Sequence, residues 1–216
     1  MAGYSFRFSM ARYVHDLLTA GVAGEIQAIT GNIGLGSMDE DWIAYPETGG
    51  GPLLYVGCHI VDLFLWFLND VPIALYADME RRDDTGADNT TAFQIRFLRG
   101  ALAQCLVTQA ASTFFYELDI HGSAGKITLR GRNFLQFEIE VSSSAVAAYA
   151  EPTVIRPANR GDNITMMLAP EVEEFASPIR EGRLPAITVT DGRRVLNALD
   201  AVFESGRTGQ PARLSR

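Results

Sequence analysis

An α+β fold is expected, with a large, open, predominantly antiparallel sheet and helices packed on one face; three observations predict it. Six short segments between Ile73 and Ser143 alternate apolar and polar residues with a period of two. Helical periodicity opens the chain and recurs in two stretches at its end. Glycines or polar residues break each strand from the next, and no linker, repeat or low-complexity segment divides the chain. A single domain over residues 1–216 is the simplest account.

In "ARYVHDLLTAG", Val14, Leu17 and Leu18 fall on one helical face, and Gly21 ends the helix. "EIQAITGNIGLG" sets Ile26, Ala28 and Ile29 among polar residues before relaxing into glycines, which reads as a strand. "SMDEDWIAYPETGGG" follows, a polar loop of about fifteen residues, long enough to be a candidate binding loop. Pro52 suits the first turn of the next helix, where its missing N–H would go unpaired anyway.

The segments "IALYADMERR", "TTAFQIRFLRG", "ALAQCLVTQA", "FYELDIHGS", "KITLRG" and "LQFEIEVSS" then read as an antiparallel meander, with "HGSAGK" as a hairpin. Alternation puts Phe93, Ile95 and Phe97 opposite in facing to Gln94, Arg96 and Leu98. In the neighbouring strand Ala103, Cys105 and Val107 face away from Gln104, Leu106 and Thr108. Helices over one side leave a flatter, mixed face for another surface. Of the two closing helices, "ITMMLAPEVEEFASPIREG" has Pro170 at a break or a start, with Gly182 just past its end. The last has Asp191 as N-cap and stops at Gly206.

Composition excludes several classes. The formal net charge of −8 opposes a phosphate backbone, and Lys126 is the only lysine, so no nucleic-acid partner is expected. Cys58 and Cys105 lie far apart in apolar surroundings, which excludes a disulfide framework and a cysteine-based zinc cluster. No metal site is expected. "MAGYSFRFSMARY" lacks the apolar core of a signal peptide. The longest apolar run, Leu53 to Leu68, is too short to span a bilayer and holds His59 and Asp62. "NTT" at Asn89 and "NIT" at Asn163 fit the glycosylation pattern, but no secretion signal accompanies them. A reducing, cytoplasmic compartment and no membrane partner are therefore expected.

The functional interest lies in "GGGPLLYVGCHIVDLFLWFL". In a helix begun by Pro52, Tyr55, His59, Asp62 and Trp66 fall at i, i+4, i+7 and i+11, on one face of an otherwise apolar cylinder. Burying these groups unpaired would cost several kcal/mol each, so they need partners or must line a cavity. An imidazole with a pKa near 6.5 suits proton abstraction from a hydroxyl. The same stripe is compatible with His59 and Asp62 bonding nearby loops or each other within the core.

Several motifs in order resemble the second domain of the Gfo/Idh/MocA oxidoreductases, the family of glucose–fructose oxidoreductase and inositol dehydrogenase. "GYSFRFSMARYVHDLLTAGVAGEIQAIT" is similar to that domain's opening, and "GGGPLLYVGCHIVDLFLWFL" to its glycine-rich motif and helix. "DNTTAFQIRFLRGALAQCLVTQ" and "IHGSAGKITLRG" resemble its central strands, and "EVEEFASPIREGRLPAITVTDGRRVLNALDAVFESGRTGQPARL" its end. The resemblance implies hydride transfer between NAD or NADP and a sugar, cyclitol or related hydroxyl compound. It also implies an absent Rossmann domain, since "GNIGLGS" lacks the G-x-G-x-x-G spacing and position. Lys126, in a hairpin, cannot replace the lysine of the family's Glu-Lys-Pro motif. No cofactor is then expected to bind this chain alone.

The resemblance further implies site residues. His59 matches the family's helix histidine, beside the substrate hydroxyl, and Asp62 an acidic position one turn on. Tyr55 stands where many members carry an aspartate; a phenol cannot supply that charge but can hydrogen-bond a sugar. Trp42 matches a tryptophan often followed by arginine, here Ile43, and Arg7 an arginine near the inter-domain cleft. Three readings stay open: the substrate and oligomerisation portion of such an oxidoreductase, a standalone polyol-binding module, or a scaffold pairing through its sheet with a copy of itself or with a nucleotide-binding chain.

Overall fold

A computed structural model describes residues 5–36, 41–132, 136–156 and 164–214. Part of the expected binding loop, at 37–40, and Asn163 of the second glycosylation triplet lie outside the described residues. Nine strands form one sheet: β1 (Ile26–Gly34), β2 (Pro72–Arg81), β3 (Asp88–Phe97), β4 (Leu102–Thr108), β5 (Phe115–Gly122), β6 (Gly125–Gly131), β7 (Phe137–Ser143), β8 (Thr153–Ile155) and β9 (Ala212–Arg213). Their order is β8-β7-β6-β5-β1-β4-β3-β2-β9. All six alternating segments become strands, as their period requires, but they do not form one meander. β1 inserts between β5 and β4, antiparallel to the first and parallel to the second.

The helices are α1 (Ser5–Phe8), α2 (Met10–Thr19), α3 (Cys58–Leu68), α4 (Ile164–Glu181) and α5 (Val189–Thr208). Among them α2, α3 and α5 pack against the sheet face that carries Phe93, Ile95, Phe97, Ala103, Cys105 and Val107, all buried. The opposite face carries the exposed Tyr76, Leu102 and Leu106 among Gln94, Arg96 and Gln104. Close packing explains one glycine in β1. A Cβ on Gly31 would fall 2.7 Å from Ile60 Cγ2 and 2.9 Å from Phe64 Cζ, so α3 sits against bare backbone there.

Three boundaries differ from expectation. α4 runs through Pro170 and also contains Pro178. α5 begins one turn earlier than expected: Thr188 is its N-cap, and Asp191 is the reciprocal partner at N3, each side chain bonding the other's backbone N–H. It ends at Gly209, in the left-handed region at φ 65°, rather than at Gly206. α4 presents Leu168, Val172, Phe175 and Ile179 at helical spacing, with Phe175 53% and Ile179 71% exposed. No helix among the described residues is long and apolar enough to cross a membrane.

Candidate functional site

The glycine-rich turn leads into a π-helical turn over Leu53–Gly57, which runs directly into α3. Such widened turns are rare and recur at functional sites. Around α3 the residues Ile60, Val61, Leu63, Phe64, Leu65, Phe67 and Leu68 are buried, while Tyr55, His59 and Trp66 keep partial exposure. The expected polar stripe is therefore present, although the π turn departs from the 3.6-residue spacing that placed Tyr55 directly above His59.

Its members fall into two groups. Trp42 stands on a 3₁₀ turn, Asp41–Ala44, and meets Tyr55 edge to face, with ring centroids 5.5 Å apart and planes at 88°. The Thr48 hydroxyl fastens this loop by donating to the Trp42 carbonyl at 2.5 Å. At the other end, Asp62 is buried and accepts both arms of Arg7. Nε donates to Oδ2 at 2.7 Å, and Nη2 to Oδ1. The Arg7 guanidinium also lies over Trp66, 5.1 Å from its centroid, and 3.7 Å from Asp191. Trp66 in turn stacks on His15 at 4.3 Å. Arg7, Asp62, Trp66, Arg99, Asp191 and Arg194 are among the residues that line an open cleft of 540 Å³.

His59 lies between the groups. Its ring stacks on Phe6 of α1, with centroids 4.7 Å apart and planes 19° from parallel. Burial lowers its pKa to about 4, so the imidazole is neutral at pH 7. A neutral imidazole can, as a chemical group, take up a hydroxyl proton. Burial also holds the Asp62 carboxyl above the ordinary range, outweighing the opposing pull of Arg7. Cys58 and Cys105 are free thiols pushed up by burial, Cys58 to about 12, and so behave as small apolar residues at neutral pH.

Phe6, His15 and Asp191 were not legible as site residues. Phe6 and His15 lie in amphipathic segments indistinguishable from ordinary helix faces, and Asp191 carries only a capping signal. Among the described residues, no group of three or more histidines, cysteines or acids gathers as metal ligands. Nor is the helix start after the glycine turn open to a phosphate. The Asp88 carboxylate already accepts the Leu53 N–H there at 3.0 Å, and it would repel a second anion.

A family model described as the GFO/IDH/MocA C-terminal domain matches residues 11–128, more than half of the chain. The chain belongs to this family. As a GFO/IDH/MocA C-terminal domain it is similar along 99% of its length to D-xylose 1-dehydrogenase (NADP(+)) 2 of Haloferax volcanii, at 25% identity. It spans 64% of that protein. Over 78% of its length it is 29% identical to 1,5-anhydro-D-fructose reductase of Ensifer adhaerens, spanning 49% of that relative. Aldose-aldose oxidoreductase of Caulobacter crescentus, solved with glycerol, superposes with a TM-score of 0.83 at 21% identity, over 98% of this chain and 63% of that one. Levoglucosan dehydrogenase in complex with NADH and levoglucosan gives 0.83 at 19%, over 99% and 66%. The last two likenesses concern the fold alone. The chain thus spans less than two thirds of the curated relatives it matches.

Proposed function

We propose that this GFO/IDH/MocA domain is the substrate-binding and oligomerisation portion of an NAD(P)-dependent oxidoreductase acting on a sugar or related polyol. The observation that carries this reading is the grouping of Trp42, Tyr55 and His59 along the glycine turn and the helix it starts. An aromatic platform, a phenol and a neutral imidazole are what a hydroxyl-rich ring needs: an apolar face, a hydrogen-bond partner and a proton acceptor. In this reading His59 takes the hydroxyl proton as hydride leaves the same carbon for the nicotinamide ring, which supplies the redox chemistry when bound. Tyr55 and Trp42 hold the substrate. Arg7 and Asp62, paired to each other, border it from the cleft side.

The nicotinamide cofactor, NAD or NADP, would be held by a Rossmann domain outside residues 1–216. The exposed apolar stripe of α4 supports a place for it, because α4 packs on α1 and α1 covers His59. The outer sheet face, with Tyr76, Leu102 and Leu106, would pair with a second copy. The sugars named for the relatives, D-xylose, 1,5-anhydro-D-fructose and levoglucosan, are the first probes. Titrating them into the 216-residue chain should quench tryptophan fluorescence saturably, and Trp42→Phe should remove the quench. NADH and NADPH should not saturate the chain. Saturable nicotinamide binding, or indifference to every sugar, would reject the reading.

A further inference from the structure

One buried acid has no part in the chemistry above. Asp88 opens β3, is 1% exposed, and stands 35 positions from the amide it caps. Its Oδ2 accepts the Leu53 N–H at 3.0 Å and the Thr91 hydroxyl at 3.2 Å. Its Oδ1 is buried without a hydrogen-bond partner among the described residues and presses on the glycine turn. A Cβ on Gly51, at φ +85°, would fall 2.0 Å from that oxygen. Gly51 is thus the residue that leaves room for the carboxylate.

We infer that Asp88 is a positioning residue, which fixes from the sheet the angle at which the helix start presents Tyr55 and His59. This rests on the proposed role of His59. A cap that only ended the helix would come from the residue before it, an exposed Ser, Thr or Asp at little desolvation cost. Here the local N-cap position is Pro52, with no side-chain cap, and the capping group arrives from a strand paired on both sides. Burying a carboxylate with one idle oxygen is costly, and it pushes the Asp88 carboxyl up to about 6. That cost goes with a specific outcome. The glycine turn and Leu53, where the π turn begins, are referenced to the sheet rather than to the flanking loop. Tyr55 lies two residues after the clamped amide and His59 six, so a slip at Leu53 re-aims both.

The test is NMR on the isotopically labelled chain, with Leu53 N–H, the Tyr55 ring and the His59 ring as reporters. The chain has three histidines, so the ring signals are readily assigned. Asp88→Ala should speed exchange of the Leu53 amide by about tenfold, the factor one hydrogen bond of ordinary strength controls. It should also displace the Tyr55 and His59 ring signals. Asp88→Asn, which keeps an oxygen for Leu53, should return those signals towards the wild-type positions. A folded Asp88→Ala chain that loses thermal stability while both rings stay in place would overturn the inference and leave Asp88 a stabilising cap. Should that variant not fold, Thr91→Val, near-isosteric and lacking one donor to the same oxygen, must move both rings in a smaller, resolved step. Unmoved rings in it overturn the inference equally. The measurement needs no turnover, so a wild-type chain that ignores sugars refutes the functional reading without touching this result.

Discussion

His59 packed against Phe6 makes a quantitative demand on stability. Its pKa is about 4 in the fold against 6.5 unfolded, so between these values the unfolded chain takes up a proton that the native imidazole refuses. The stability this group contributes is complete above pH 6.5 and is lost as pH falls through 4. Linkage over that gap gives about 2 kcal/mol between pH 7.5 and pH 5, and solvent at the ring's exposed edge trims this to about 1–2 kcal/mol. His59→Gln removes the titration while keeping a polar side chain. Urea unfolding of both proteins at the two pH values isolates the term, because Asp62 and Asp88, which titrate in the opposite sense, are common to both. Wild type should lose about 1–2 kcal/mol more than the variant on acidification. Parallel losses would refute the argument and mean that the ring is not held neutral beneath Phe6.

Other outcomes follow from the same contacts. Arg7→Ala leaves the Asp62 carboxylate buried without its partner and should cost about 3–5 kcal/mol in urea unfolding at pH 7.5. Thr188→Ala removes half of the reciprocal cap on α5 and should cost about 1 kcal/mol, read as a lower thermal midpoint. Leu102→Glu with Leu106→Glu, on the exposed sheet face, should convert a dimer or larger assembly into a monomer by light scattering without loss of secondary structure. Joined to a nucleotide-binding domain, His59→Ala should lower turnover by about 10²–10⁴-fold; an unchanged rate would return His59 to a packing role.

The strands were legible because each repeats a local rule. Phe93, Ile95 and Phe97 turn inward and Gln94 and Arg96 outward, whatever the strand's neighbours are. Strand order was not legible, since nothing local to β1 says that its partners lie beyond residue 100. Helix ends failed where one residue type serves two positions. Asp191 is as good at N3 as at the N-cap, and Gly206 sits inside α5 because a Cβ there would approach Met79 to 2.9 Å. At the site, the helical spacing exposed the stripe from Tyr55 to Trp66. The Arg7–Asp62 pair spans 55 positions and the Asp88–Leu53 cap 35, and such distances leave no periodic trace in a sequence. The Trp42–Tyr55 contact depends on a π turn that no spacing announced.

The place of β1 in the middle of the sheet has a consequence for how the chain is born. Ala28 pairs with Leu102 and Ile29 with Ile120, so both edges of β1 stay open while more than seventy further residues are synthesised. At about 5–20 residues per second, a ribosome exposes that apolar strand for several seconds before its first partner emerges. Long-range pairing of this kind also slows folding. The half of the sheet from β5 to β8 can zip by hairpins; β1 joins it to the other half only after both exist. The vulnerable species in the life of this protein is therefore a nascent chain whose synthesis has reached about residue 100 with β1 still unpaired, the form that a chaperone would be called on to shield.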